Sequence, residues 1–186
     1  PRKYLSVTYS MPEWILKKWL AQFDLQTVEA MCQSMRKESP TCIRCNLSKA
    51  TKEEIIQSLK AQHITVKEVP YLDYALEISD YNYLQAIDAF KEGLFQVQDV
   101  SSMLVAEIAD PKWGNYCIDV CAAPGGKSLH LSDKLAGSGY VEARDLTDYK
   151  VELMKENLER TKRINMEAVK QDATVFDENS VEKADI

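Results

Sequence analysis

The residues best suited to chemistry are Pro124, Gly125, Gly126 and Lys127, set in the stretch YCIDVCAAPGGKSL from Tyr116 to Leu129. Pro124 has no N–H to give to a strand ladder. The two glycines allow positive φ and leave no Cβ in the way of a ligand lying against the backbone. A helix opening there presents unpaired N–H groups and a partial positive end. In open α/β sheets, nucleotide-like ligands bind at such strand-loop-helix corners. The spacing matches neither the dinucleotide G-x-G-x-x-G nor the phosphate-cradling G-x-x-x-x-G-K-[ST]. It also serves an ordinary tight turn between strand and helix.

Three acids stand near the ends of three apolar runs. Asp119 interrupts Cys117, Ile118, Val120 and Cys121, a run that reads as a strand covered on both faces. Tyr140 to Ala143 reads as the next strand, ending at Arg144-Asp145. An acid there, about 20 residues past the glycine turn, is placed to accept both hydroxyls of a ribose. Glu167 to Lys170 reads as a third strand that delivers Gln171-Asp172 at its carboxyl end.

The elements that must hold these residues follow from the surrounding pattern. Gly137 and Gly139 close the helix after the loop, and the helix Asp148 to Arg163 carries Val151, Met154, Leu158 and Thr161 on one face. The order β-α-β-α-β is half of a doubly wound parallel sheet, and Ala184-Asp185-Ile186 reads as the start of a fourth strand. Upstream, Leu94 to Val97 reads as a short strand or extended entry. Met103 to Ala109 reads as a helix capped by Asp99 or Ser101.

The first half has a different pattern. Residues 11 to 37 read as two short helices, with Pro12 at the first helical position of one and Val28, Met31, Cys32 and Met35 along the other. Trp14 and Trp19 would stack on bases if exposed, although amphipathic helices more often bury them. Thr41 to Leu47 reads as a strand. Thr51 and Glu54 form a capping box for a helix from Glu53 to Gln62. Ile64 to Val69 and Ala75 to Ile78 read as strands, and Tyr83 to Phe90 as a helix closed by Gly93. That β-α-β-β-α order predicts a small α+β sandwich of ferredoxin-like kind.

Composition excludes several classes. With 186 residues, 45% hydrophobic and 28% charged, the chain has the make-up of a globular protein. It lacks a membrane-length apolar run and a signal-peptide pattern, so a cytoplasmic location is the default. There are 12 Lys and Arg against 12 Asp and Glu up to Gly93, and 11 against 17 from Leu94 on, so the net charge of −6 comes from the second part. Any nucleic-acid surface must therefore be a local basic patch. Five cysteines, an odd number, argue against a disulfide framework. Cys42 and Cys45 form a CxxC, but no second pair at matching spacing completes a zinc site, and no metal is expected.

CAAPGGKS at Cys121 to Ser128 resembles the cofactor loop of the S-adenosylmethionine-dependent RNA cytosine-5 methyltransferases, ribosomal RNA type. FQVQDVSSML at Phe95 to Leu104 resembles the motif that precedes that loop in the same family. The likeness extends over PEWILKKWL and the strand-helix-strand region, which resemble the family's small RNA-binding domain. It implies an α/β fold, with a helical plus ferredoxin-like RNA-binding domain over residues 1–92. Residues 93–186 would be the first half of a Rossmann-like, class I methyltransferase domain. It implies S-adenosylmethionine as cofactor, RNA (ribosomal RNA) as partner, and no membrane.

Carried over by residue, the resemblance gives the backbone of Cys121, Ala122, Ala123, Pro124, Gly125, Gly126 and Lys127 to the methionine and ribose of the cofactor. Asp145 would hold the ribose hydroxyls and Asp172 would accept from the adenine amino group, with Asp119 in a supporting place. In the family one cysteine adds to cytosine carbon 6 and a second, in a proline-cysteine motif, helps release product. The resemblance puts both beyond Ile186, so no catalytic residue is assigned here, and the chain reads as an inactive middle piece of a longer protein. Thr147 stands where a second acid is common. Two rivals share parts of the pattern: a ribose 2′-O methyltransferase with a similar AAPGG loop, and an RNA-binding or assembly module that keeps the fold without chemistry.

Overall fold

The computed structural model describes residues 1–37 and 40–186, and the chain divides into two compact units, Pro1–Ser39 and Pro40–Ile186. The first unit is three helices, α1 (Arg2–Tyr9), α2 (Glu13–Trp19) and α3 (Leu25–Met35). Leu5, Leu16, Val28 and Cys32 form its buried core. α1 adds to the two helices read from sequence. Pro12 is the N-cap of α2, one place before the first helical position, with extended ψ. Asp24 caps α3 by accepting from the Thr27 N–H at 2.8 Å. Trp14 is 63% exposed, whereas Trp19 packs against the core.

The second unit holds two sheets. β1 (Thr41–Cys45), α4 (Lys52–Ala61), β2 (Thr65–Glu68), β3 (Ala75–Ser79), α5 (Asp88–Lys91) and β4 (Phe95–Val97) build an antiparallel sheet in the order β2-β3-β1-β4. α4 opens with the full Thr51/Glu54 capping box, and Ile55 and Leu59 pack against Ile43, Leu76, Ile78 and Phe95. The sequence reading sets a boundary between residues 92 and 93. β4 is the fourth strand of this sheet, pairing Phe95 with Cys45, and the helices before residue 38 form a separate compact unit. The helix expected from Tyr83 to Phe90 is broken into a 3-10 turn, Leu84–Ala86, and α5. Ile87 is extended between them and 2% exposed, and the Asp88 N–H turns to the Gln62 side chain at 2.8 Å.

The parallel sheet is built by α6 (Val100–Ala109), β5 (Tyr116–Asp119), α7 (Gly126–Lys134), β6 (Tyr140–Asp145), α8 (Asp148–Thr161) and β7 (Met166–Lys170), in the order β5-β6-β7. Cys117, Leu129, Val141, Ala143, Met154 and Met166 fill its core. Asp99 sits at the N-cap of α6, but its side chain makes no cap hydrogen bond. Beside β5, the Ile118 N–H donates to Ile186 O at 2.9 Å and the Asp185 N–H to Tyr116 O at 2.8 Å, so residues 184–186 lie along the edge away from β6. They are not a regular strand. The turn before β4 lies close against α8: a Cβ on Gly93, whose φ is +69°, would come within 2.3 Å of Arg160 O.

Candidate functional site

β5 ends at Asp119, earlier than the apolar run suggested. Val120 and Cys121 are exposed and begin the turn. Asp119 sets this turn: one carboxylate oxygen accepts from the Cys121 N–H at 3.3 Å, and the other accepts from Ser128 Oγ at 2.7 Å. The Ala122 N–H donates to Arg144 O at 2.9 Å and the Gly125 N–H closes onto Ala122 O at 2.7 Å. Gly125 takes φ +101° as the N-cap of α7, a conformation that disfavours side chains, and Lys127 projects as an exposed residue of the first turn.

Asp145 is brought to this loop. At 5% exposure its carboxylate accepts from the Ala123 N–H at 3.0 Å, the Leu146 N–H at 2.8 Å and Lys150 Nζ at 2.9 Å. Burial pushes its pKa up, but the Lys150 ammonium and the two N–H groups outweigh this and hold it below the ordinary carboxylate value. The Asp145 carbonyl accepts from the Gln171 N–H at 3.0 Å, which brings the start of the β7 loop alongside. Asp172 follows directly. It is half-buried and closes a local turn by accepting from Thr174 N at 2.9 Å and Thr174 Oγ1 at 2.7 Å, bonds that lower its pKa.

The other flank of the loop borders a cavity of about 250 Å³ between Cys121 to Pro124, Lys127 and the Gln98-Asp99 segment. Asp145 and Asp172 are not in its wall. Gln98 Oε1 accepts from Arg44 Nε at 2.8 Å, while Gln98 Nε2 is buried with no hydrogen-bond partner among the described residues. Sequence reasoning missed the supports of this corner. Asn157 Nδ2 donates to Pro124 O at 3.0 Å, and Lys150 neutralises Asp145. Asn157 carries no local signal, because it meets the loop only through the packing of α8, whereas Lys150 lies five residues from the acid it neutralises. Cys42 and Cys45, the CxxC pair, sit three apart on β1 and so point to opposite faces.

Comparison with known proteins gives consistent matches. Residues 11–83 match a family model described as the RsmF/B-like methyltransferase ferredoxin-like domain, and residues 106–185 one described as 16S rRNA methyltransferase RsmB/F. The chain is 32% identical over 160 residues to the probable ribosomal RNA small subunit methyltransferase B of Bacillus subtilis (strain 168), covering 86% of this chain and 36% of that protein. It is 29% identical over 154 residues to the ribosomal RNA small subunit methyltransferase B of Serratia proteamaculans (strain 568), covering 82% of this chain and 35% of that one. It thus spans about a third of the length of these relatives. Among solved structures it resembles PH0851, at TM-score 0.79 and 26% identity over 92% of this chain and 39% of that one. NSun6 from Pyrococcus horikoshii, solved with SFG, shares the fold at TM-score 0.73 and 19% identity over 92% of this chain and 65% of that one.

Proposed function

Because this chain belongs to the RsmB/F methyltransferase family, we propose that its loop from Cys121 to Lys127, with Asp145 and Asp172, holds S-adenosylmethionine. We propose further that the protein of which it is part methylates carbon 5 of a cytosine in ribosomal RNA, in the cytoplasm. The observation that carries the reading is the Ala123 N–H bonded to the Asp145 carboxylate at 3.0 Å. It fixes a glycine loop and a strand-end acid as one corner, the arrangement that nucleoside ligands use in parallel sheets.

The residues present fit such a cofactor. Gln98 Nε2 is a buried donor without a partner among the described residues, in the wall of the loop cavity. Gly126 leaves open the space a Cβ would take, 3.9 Å from Gln98 Cδ. When bound, the cofactor supplies an electrophilic sulfonium methyl. The chain's own residues bind and orient it: the loop backbone offers N–H groups at the positive end of α7, Asp145 is ionised to accept from hydroxyls, and Asp172 accepts from an amino group. RNA contact falls, on this reading, to the antiparallel sheet and the N-terminal helices, the region that matches the family's ferredoxin-like domain.

Calorimetric titration with S-adenosylmethionine tests the cofactor reading. A dissociation constant near the micromolar range, about −8 kcal/mol, weakened by Asp145→Asn, supports it; no heat from a folded protein overturns it. Nucleoside mass spectrometry of RNA treated with the whole protein tests the reaction. 5-Methylcytidine supports base methylation, 2′-O-methylnucleoside would make it a ribose enzyme, and no methylation alongside RNA binding would make it an assembly module.

A further inference from the structure

A cavity of about 350 Å³ opens within the second unit between the end of β1, Tyr74, α6 and the far half of α7, away from the glycine loop. In its wall His130 is 3% exposed, and His130 Nδ1 is buried without a hydrogen-bond partner among the described residues. The imidazole meets the Tyr74 ring edge-on, with centroids 5.2 Å apart and planes at 72°. Burial, and then the nearby Arg44 charge, push its pKa down to about 3, so the ring is neutral at ordinary pH. The space far exceeds the roughly 30 Å³ of one water. A larger group with a polar edge suits both the volume and the unpaired nitrogen.

The charges around the cavity show what else the ligand carries. Asp133 accepts from Arg44 and from Arg163, and Glu107 accepts from Tyr74 Oη at 2.5 Å and Lys134 Nζ at 2.9 Å. Both acids are thus occupied by three cations, which leaves an excess of positive charge. Arg163 stands behind the wall and donates to Ser48 Oγ, a lining residue, at 3.0 Å. Beyond it the field is more positive: burial, then the charges of Lys162, Arg160 and Arg163, lower the Lys49 pKa. A purely apolar ligand would leave the imidazole nitrogen unpaired. A bare anion would leave the aromatic wall unused.

We propose that this cavity is a nucleotide-binding site distinct from the glycine loop, with the heterocyclic base against Tyr74 and His130 and its phosphate toward Arg163 and Lys134. The nucleotide is either free or one unit of an RNA strand. Equilibrium dialysis of the protein against the common ribonucleoside 5′-monophosphates and against a short single-stranded RNA separates these sources. Two variants report the site. Leu47→Trp adds bulk at the mouth, where Leu47 is 54% exposed and lines the cavity. His130→Phe keeps the ring and removes the unpaired nitrogen. Each is expected to weaken nucleotide binding roughly tenfold, about 1.4 kcal/mol, with an unchanged or higher melting temperature. Monophosphate binding that these variants weaken assigns a free nucleotide, and RNA binding that they weaken without any monophosphate binding assigns a strand. The proposal is overturned if neither probe binds, or if both variants, folded as the parent, bind as well as the parent does.

Discussion

Asn157 on α8 donates from Nδ2 to the carbonyl of Pro124, 3.0 Å away, so a helix that follows the second parallel strand holds the loop that follows the first. The same side chain accepts from Arg160 through Oδ1 at 2.9 Å. Arg160 in turn donates to Phe90 O at 3.0 Å and Phe95 O at 3.1 Å, and lies over the Phe90 ring at 4.1 Å. The loop is therefore tied through two α8 residues to the antiparallel sheet. Asn157→Ala removes one hydrogen bond, about 1 kcal/mol, and is expected to weaken S-adenosylmethionine binding by roughly fivefold. Unaltered affinity by calorimetry would show that the loop holds its shape without this bond.

Asp145 ties stability to pH. Its folded pKa lies below the ordinary carboxylate value near 3.9. Its contribution is thus complete above the unfolded value and is lost as pH falls through the folded one. Asp145→Asn should flatten the acid limb of a plot of unfolding free energy against pH, below about pH 4, while leaving the slope near neutrality alone. An unchanged acid limb would mean that the Lys150 and backbone contacts contribute nothing in solution.

How much of this was legible in sequence depended on how local each cause was. The Thr51/Glu54 box, a positive φ within the glycine pair and Asp145 at the end of β6 are set by near neighbours, and they stand where the pattern put them. Val120 and Cys121 were read as strand because they are apolar. The ladder stops before them because the Cys121 N–H turns back to the Asp119 carboxylate. The place of β4 rests on Cys45 pairing with Phe95, about fifty residues apart, and the support from Asn157 rests on helix docking. Hydrophobic period carries no trace of either contact.

Arg160 should be a point of stability rather than of ligand binding. Burial lowers its pKa to about 10, which leaves it charged at neutral pH among backbone carbonyls. Hydrogen bonds to a charged group contribute roughly 1.5–3 kcal/mol each, and Arg160→Met leaves the Phe90 and Phe95 carbonyls without this donor. A fall of at least about 2 kcal/mol in urea unfolding is expected. Arg160→Lys should recover only part of it, because one ammonium can take the place of Nη1 at the two carbonyls but cannot also make the Nη2 bonds to the Gln96 and Asn157 side chains. Full recovery by lysine would reduce the role to charge alone.

Gly125 and Gly126 separate folding from binding. Gly125 has room for a Cβ, its nearest neighbour being Met154 Cγ at 3.6 Å, but its φ of +101° makes Gly125→Ala strained, by about 1–2 kcal/mol. Gly126 begins α7 with no positive φ, and its added Cβ would touch only Gln98 Cδ at 3.9 Å. Gly126→Ala should therefore fold as well as the parent or slightly better, since alanine is the better helix former by up to about 1 kcal/mol. If a ligand lies against that backbone, the same methyl takes its place and affinity for S-adenosylmethionine should drop roughly tenfold or more. Thermal unfolding and calorimetry on the two variants give the comparison. Retained affinity in Gly126→Ala would mean that the ligand stays clear of the helix start, leaving the Asp145 side of the loop as the only place for it to bind.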